Sequence, residues 1–313
     1  MSDAPPDHHD LDEHITIPKL TASSLRLVVQ SLAVGVFVWC GVLTLVIEEF
    51  FKPRYALWMI GSSLALVILE ALLRAFERRR DRGATLEPPA RPWYDVHRLI
   101  YGTFVGVITV WLAMELGSSF GLYHYAWSFT FRSPLFVWGL PSALLWVAGS
   151  GLRFGGRGRR YSLRNRLIAL RHVVQSIVAG AALFHLLTLV IKVPSAAHFA
   201  LPSTLAALLM VNLFFIASVE LVSRRRPGSA AQASGLLLQG RYATWFWGGG
   251  VVLGHLLPVL IAARDLPKLN TFAVLSALLG VYAYQHAFAL ADRRALAEAT
   301  NPIGGDDSGP DFP

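Results

Sequence analysis

One uncharged stretch near the N-terminus decides the fold: Leu27-Val-Val-Gln-Ser-Leu-Ala-Val-Gly-Val-Phe-Val-Trp-Cys-Gly-Val-Leu-Thr-Leu-Val-Ile47. A helix of about 20 apolar residues is long enough to cross the ~30 Å hydrocarbon core of a bilayer. In lipid each backbone polar group needs an internal partner, and a helix supplies one for every residue of the stretch. The stretch therefore predicts a transmembrane helix.

Seven further apolar stretches follow along the chain. They are Ala56–Leu73, Leu99–Leu116, Pro134–Leu152, Val173–Ile191, Phe199–Val222, Tyr242–Ala263 and Phe272–Ala291. The composition agrees, since 54% of the residues are hydrophobic and 15% are charged, against about 25% charged residues in soluble domains. We predict an all-α integral membrane protein of eight transmembrane helices.

The basic residues are distributed unevenly between the two predicted faces of the membrane. All but six of the 28 Lys and Arg residues fall on one face, and the six exceptions are Lys52, Arg54, Arg132, Lys192, Arg264 and Lys268. By the positive-inside rule the basic face is cytoplasmic. We therefore expect a multi-pass protein of the cytoplasmic (inner) membrane with both termini in the cytoplasm. The basic residues then determine the orientation of the protein in the membrane or bind anionic lipids, and they do not indicate nucleic-acid binding.

An internal repeat divides the chain. Arg26-Leu-Val-Val-Gln-Ser-Leu-Ala-Val-Gly35 returns as Arg171-His-Val-Val-Gln-Ser-Ile-Val-Ala-Gly180, with Arg, Gln, Ser and Gly in register. Weaker matches follow in the same order, at Arg78–Arg80 with Arg224–Arg226 and at Ser142-Ala-Leu-Leu145 with Ser276-Ala-Leu-Leu279. Each half has four spans, so the two halves have the same orientation and form a parallel repeat.

The repeat gives the predicted domain organisation. We expect an acidic cytoplasmic tail (1–24), a first four-helix bundle (25–152), a basic cytoplasmic linker (153–170), a second four-helix bundle (171–292) and a C-terminal tail (293–313). Ligand sites in such proteins often lie where the two halves meet.

Ionisable side chains within membrane spans are candidates for function because burying them in lipid is costly. The pairs Glu70/Arg74 and Glu220/Arg224 have the i, i+4 spacing of structural ion pairs near the cytoplasmic face. Glu115 has no basic neighbour on its own helix. It is therefore the acid for which a role in proton transfer is the more interesting hypothesis.

Two histidines, His185 and His255, lie at similar depth, slightly outward of the membrane centre, on helices that both start at the cytoplasmic face. Three roles are open: a shared haem, hydrogen bonding to a quinone with proton relay, or a structural interhelical hydrogen bond. Haem is disfavoured, because the chain lacks the paired histidines of a two-haem four-helix bundle. No metal site is predicted, and the single cysteine, Cys40, rules out an iron–sulfur cluster held by the chain's own cysteines.

The outer loop between the third and fourth spans contains Tyr123 and His124 among further aromatic residues. An aromatic belt at the membrane interface explains Trp and Tyr in such a loop without any ligand. His124 is explained less well by a belt. Together with Glu115 it is a candidate for contact with a quinone head group or a partner subunit.

The seventh span carries Phe246-Trp-Gly-Gly-Gly-Val-Val-Leu-Gly-His-Leu-Leu-Pro258, in which Gly250 and Gly254 have the four-residue spacing of close helix packing. This segment resembles the penultimate-helix signature of the polysulphide-reductase membrane subunits (NrfD/PsrC-like). Arg132-Ser-Pro-Leu-Phe-Val-Trp-Gly139 is similar to the Ser-Pro…Trp-Gly entry to that family's fourth helix. Two departures are His255 at a normally apolar position and a first span that keeps only Gly35 of the family's glycine-rich run.

The resemblance implies a haem-free quinone-interacting anchor of a multi-subunit respiratory oxidoreductase. Such a subunit exchanges electrons between quinone (menaquinone or ubiquinone) and an iron–sulfur subunit, which connects to a catalytic subunit. We then expect quinone hydrogen bonding and proton relay from five candidates: His185, His255, Glu115, His124 and Tyr123. The alternatives are a transporter or proton-conducting subunit without a redox role, and an assembly anchor that binds no ligand.

The predicted topology is tested by cysteine labelling in a Cys40→Ala background. A membrane-impermeant maleimide added to right-side-out vesicles should label Ser195→Cys in an outer loop and leave Gly156→Cys in the basic linker unlabelled. The opposite pattern would contradict the orientation given by the positive-inside rule.

Overall fold

A computed structural model gives the fold and describes residues 17–46, 53–80, 91–154, 163–191, 195–224, 228–264 and 269–300. These residues contain helices and turns and no β-strand. The helices are α1 (Ile17–Val46), α2 (Pro53–Arg80), α3 (Arg91–Ser119), α4 (Tyr125–Phe154), α5 (Leu163–Val190), α6 (Ser195–Arg224), α7 (Ser229–Leu238), a π helix (Trp245–Leu256) that continues into α8 (Leu257–Ala263), and α9 (Asn270–Thr300).

Eight of the helices in the described part of the chain are long and apolar enough to cross a membrane. They coincide with the eight predicted spans, so the prediction of an all-α multi-pass membrane protein is confirmed at this level. Consecutive spans alternate in direction, and this places the described arginines at two ends. We call the end with Arg74, Arg98, Arg166 and Arg224 the basic end, and the end with Arg54, Arg132 and Arg264 the far end.

The helices extend beyond the predicted spans. Helix α1 begins at Ile17, within the predicted acidic tail, and α5 begins at Leu163, within the predicted linker. A hydropathy pattern marks the hydrocarbon core and not the turns that a helix adds in the head-group region. The rest of the predicted tails and linker (1–16, 155–162 and 301–313) lies outside the described residues. Helix α7, between the sixth and seventh spans, was not predicted.

The seventh span begins as a π helix over Trp245–Leu256. Its bonding pattern is visible at its end, where the Leu257 N–H donates to the Val252 carbonyl five residues back. Most π-helical segments are single turns and many occur at functional sites, so this length is unusual. Gly248, Gly249 and Gly250 all lie in this segment.

Helices α1 and α5, the first spans of the two predicted halves, cross closely. The crossing is at Gly35 and Gly180, and a methyl group added to either glycine would collide with the backbone of the other helix. The Trp39 indole N–H also donates to the Ile177 carbonyl of α5, at 3.0 Å. Gly35 and Gly180 are the last residues of the two matched segments, so the strongest sequence match lies at the contact between the halves.

In each half a glutamine of the first span also donates a hydrogen bond to a backbone carbonyl of the fourth span. Gln30 Nε2 donates to the Trp146 carbonyl at 3.2 Å, and Gln175 Nε2 reaches the Val281 carbonyl at 3.5 Å. In the fourth spans, Ser142 and Ser276 each donate to the carbonyl three residues earlier, at 2.7 and 2.9 Å. Matched contacts therefore accompany the matched sequence.

Aromatic side chains fill the core of the first half. The Phe37 ring lies 5.2 Å from Phe104 and 5.8 Å from Trp111, edge to face in both cases, and 5.7 Å from Phe136. These residues join α1, α3 and α4 in one buried cluster. The cluster holds these three helices together toward the far end, where the buried charged residues described below are found.

The α1–α5 contact predicts that alanine substitutions at two glycines differ in their effect on thermal stability. Gly35→Ala should lower the Tm of the detergent-purified protein by several degrees, because the new methyl group meets the α5 backbone. Gly106→Ala is the control, since nothing lies within 4 Å of the added Cβ and alanine favours helix. Equal melting temperatures for the two variants would contradict a close α1–α5 crossing.

Candidate functional site

The predicted acid Glu115 forms a buried ion pair with Arg132. Arg132 Nε lies 2.6 Å from Glu115 Oε1, and Arg132 Nη2 lies 2.7 Å from Oε2, so the contact is bidentate. Both side chains are almost fully buried. The Trp111 indole N–H donates to Glu115 Oε1 at 3.1 Å and adds a third hydrogen bond to the carboxylate. The pair joins α3 to α4 close to the far end.

This pair changes the role that the sequence suggested for Glu115. Both carboxylate oxygens of Glu115 are engaged by the Arg132 guanidinium, and one of them also by the Trp111 indole, which is the arrangement of a structural ion pair. A buried pair of this kind costs desolvation energy, but breaking it by removing one partner costs more. We therefore assign Glu115 and Arg132 to the structural core of the first half.

Tyr123 and His124 lie in the turn beside this pair. The Tyr123 hydroxyl donates to the Met114 carbonyl, and its ring packs against Gly117. Partial burial and the charge of Glu115 raise the pKa of the Tyr123 phenol above its ordinary value, so it remains a donor. His124 is exposed at the far end, where it is accessible to a partner.

His255 has both ring nitrogens in hydrogen bonds. Nδ1 lies 2.7 Å from the Gly250 carbonyl and Nε2 lies 2.9 Å from Asn212 Nδ2. A carbonyl only accepts, so Nδ1 carries the proton and Nε2 accepts from the Asn212 amide. His255 is completely buried. It therefore makes the interhelical hydrogen bond that was one of its three possible roles, and it has no nitrogen left for a ligand.

His185 lies elsewhere in the second half. It lines a cavity of about 10 Å³ between α5, α6, α8 and α9, together with Pro202, Pro258 and Asn270. A cavity of this size holds about one water molecule. No hydrogen bond or ring contact joins His185 to His255. The five predicted ligand candidates are thus divided between the far end of the first half and two separate places in the second.

The predicted ion pairs differ from each other. Glu70 Oε1 lies 2.7 Å from Arg74 Nη2, whereas Glu220 is buried and Arg224, one turn later on α6, is exposed. The predicted packing glycines lie against α9. Gly250 faces Tyr284, Gly254 is in backbone contact with Gly280, and Pro258 is buried.

A cleft that the sequence did not point to opens between α2 and α5 at the far end. It has a volume of about 340 Å³ and is lined by Arg54, Trp58, Val190 and Ile191. Trp58 is 54% exposed and Val190 is 75% exposed, so the cleft opens on the outer surface of the helix bundle. Arg54 Nη2 donates to the Tyr55 hydroxyl at 2.8 Å.

The cleft lies between the second and fifth spans, which belong to different halves of the predicted repeat. A signal for it was present in the sequence, since Arg54 is one of the few basic residues on the far side and is followed by Trp58 one turn later. The opposite wall of the cleft consists of Val190 and Ile191. The sequence gives no indication of it, because apolar residues at the end of a span are ordinary.

Comparison with known proteins adds no relative. No protein-family model, no curated protein and no solved structure matches this chain. The resemblance to the polysulphide-reductase membrane subunits therefore remains a prediction. Among the described residues there is also no group of three or more His, Cys, Asp or Glu side chains that could hold a metal ion.

The Glu115–Arg132 pair makes a prediction about stability. Glu115→Gln should destabilise the protein by about 3–5 kcal/mol, because it leaves the Arg132 guanidinium buried without its counter-charge. The double variant Glu115→Leu/Arg132→Met should recover much of this loss, since two apolar residues replace the pair.

Thermal unfolding of the detergent-purified variants measures both effects. Glu70→Gln is the matched control, because its partner Arg74 is partly exposed and loses less. A Glu115→Gln variant as stable as Glu70→Gln would show that the buried pair does not hold α3 to α4.

Proposed function

We propose that this chain is the quinone-interacting membrane subunit of a multi-subunit oxidoreductase in the cytoplasmic membrane. It exchanges electrons between quinone and an iron–sulfur partner subunit, which connects to a catalytic subunit. The partner is required because the chain contains only one cysteine and cannot ligate a cluster with its own cysteines. Two motifs that resemble the polysulphide-reductase membrane subunits support this assignment.

The observation that carries the proposal is the cleft between α2 and α5. Its volume of about 340 Å³ falls within the ~300–1,000 Å³ of small-molecule sites. An amphipathic ligand that diffuses in the bilayer needs an opening toward lipid, and the exposed Trp58 and Val190 flank such an opening. The cleft is mostly apolar with one charged group, the combination that suits a quinone ring with two carbonyl oxygens.

The side chains of the cleft have distinct roles in this proposal. The Arg54 guanidinium donates a hydrogen bond to a quinone carbonyl, and its charge favours the reduced ligand. The Trp58 indole stacks on the ring, while Val190 and Ile191 contact the isoprenoid tail. A quinone bound there would supply the two-electron, two-proton couple through which electrons are exchanged with the partner's cluster.

The position of the cleft also suggests where the partner docks. The cleft, Tyr123 and the exposed His124 all lie at the far end. A cluster in a partner docked on this end would be closer to the cleft than one docked on the basic end. We therefore place the iron–sulfur subunit at the far end, with His124 in the contact surface.

The transporter alternative would be favoured by a span interrupted near the membrane centre. The span that carries Gly248–Gly250 is wound as a π helix and runs without interruption into α8, and no other described span is broken. Its carbonyls therefore stay in helical hydrogen bonds and are not released to coordinate an ion. The geometry supports the quinone proposal better than transport.

The cleft is tested with the complex purified from its native membrane. Trp58→Ala and Arg54→Gln should each lower the rate of quinone-linked electron transfer at least several-fold, because they remove the stacking surface and the donor. Phe214→Ala is the matched control, since Phe214 is an exposed aromatic residue of α6 outside the cleft and outside both motifs. Unchanged turnover in both cleft variants, with quinone still bound, would show that quinone binds at another site. A chain that purifies without an iron–sulfur protein would overturn the proposed function.

A further inference from the structure

The proposed quinone site depends on where the Arg54 guanidinium lies. Arg54 is exposed and is the first residue of the second span. A long basic side chain at the end of a span usually extends toward water and the lipid head groups, away from apolar surfaces. Arg54 instead lines the cleft together with Trp58. This conformation needs a partner that keeps the guanidinium at the cleft.

The start of α2 does not itself favour an arginine. The helix begins at Pro53, so Arg54 lies in its first turn, and this turn contains no acidic residue. The N-terminal end of a helix carries a partial positive charge, which favours Asp and Glu there and disfavours Lys and Arg. The stability of the helix therefore does not account for Arg54, whereas a role for its charge in the cleft does.

Tyr55 makes two contacts with the Arg54 guanidinium. Arg54 Nη2 donates to the Tyr55 hydroxyl at 2.8 Å, and the guanidinium carbon lies 4.7 Å from the centre of the Tyr55 ring. The hydrogen bond fixes one end of the guanidinium, and the ring attracts its positive charge. A guanidinium has five N–H donors, so donors remain for a ligand after one is committed to Tyr55.

The Tyr55 side chain is itself held in place. It is 5% exposed and belongs to the apolar core of the first half, as do Met59 and Ile60 of the same helix. It is not among the described residues that line the cleft. A packed aromatic ring is a fixed support, whereas an exposed arginine has many rotamers. Tyr55 can therefore orient Arg54 without contacting a ligand.

We propose that Tyr55 is a positioning residue of the cleft, which holds the Arg54 guanidinium beside Trp58 before a quinone binds. This inference rests on the proposed function, because it concerns the binding of the same ligand at the same site. A donor that is already in place raises affinity, since the side chain is not ordered at the expense of binding energy. Tyr55 therefore acts on the affinity for the quinone head group and not on the electron transfer that follows.

The conservative variant Tyr55→Phe tests this role in the complex purified from its native membrane, because it removes the hydroxyl and keeps the ring. The concentration of a short-chain quinone that halves labelling by an azido-quinone should rise roughly three- to tenfold, the size expected for one lost hydrogen bond. The KM for the short-chain quinone should rise equally, with little change in kcat.

Tyr101→Phe is the matched control. The Arg74 guanidinium carbon lies 5.1 Å from the centre of the Tyr101 ring, so the pair resembles Arg54 and Tyr55, but it lies on α2 and α3 outside the cleft. Quinone affinity and KM in this variant should equal those of the wild type.

A double-mutant cycle separates positioning from a structural role. Because Tyr55 acts through Arg54, Tyr55→Phe should weaken quinone binding in the wild type and add nothing in the Arg54→Gln background. An equal effect in both backgrounds would overturn the proposal. Unchanged affinity in Tyr55→Phe, with weaker binding in Arg54→Gln, would overturn it while leaving the cleft as the quinone site. Unchanged affinity in both single variants and in the double variant would overturn this proposal and the proposed quinone site together.

Discussion

The close crossing of α1 and α5 is the contact on which the rest of the structure depends. A lipid bilayer supplies little hydrophobic driving force between helices, so two spans associate through packing and through hydrogen bonds. Gly35 and Gly180 let the two backbones touch, and Trp39 adds a hydrogen bond to the α5 backbone. This contact joins the first span of each half, and the remaining spans are arranged around it. Helix α2 packs on α1, and the cleft separates it from α5 at the far end.

Charge compensation within the membrane is the second constraint, and the structure meets it in different ways. Glu115 and Arg132 neutralise each other inside the first half, and Arg26 and Glu77 do so near the basic end. Arg171 is the exception among these described arginines, with aromatic rings and neutral polar side chains around it. The matched arginines Arg26 and Arg171 of the predicted repeat therefore differ in how their charge is compensated.

The spans could be predicted because each depends on a continuous local property, the hydropathy of about 20 residues. The partners of the buried polar groups could not, because they lie on other helices. Glu115 finds Arg132 across the α3–α4 loop, and His255 finds Asn212 on α6. A search for partners at i, i+4 spacing along one helix finds neither of these contacts. The π helix was also missed, since a shift from four- to five-residue bonding leaves the apolar composition of the span unchanged. Arg54 was visible as an exception to the charge pattern, but the wall opposite it depends on how α2 and α5 pack.

The quinone site that we propose is the cleft between α2 and α5, and not the buried histidines of the second half. Photo-crosslinking with an azido-quinone, followed by mass spectrometry of the labelled peptides, tests this placement most directly. The account predicts label on peptides containing Arg54 and Trp58 or Val190 and Ile191, and loss of that label when unmodified quinone competes. Competed label around His185, with none in the cleft, would contradict it.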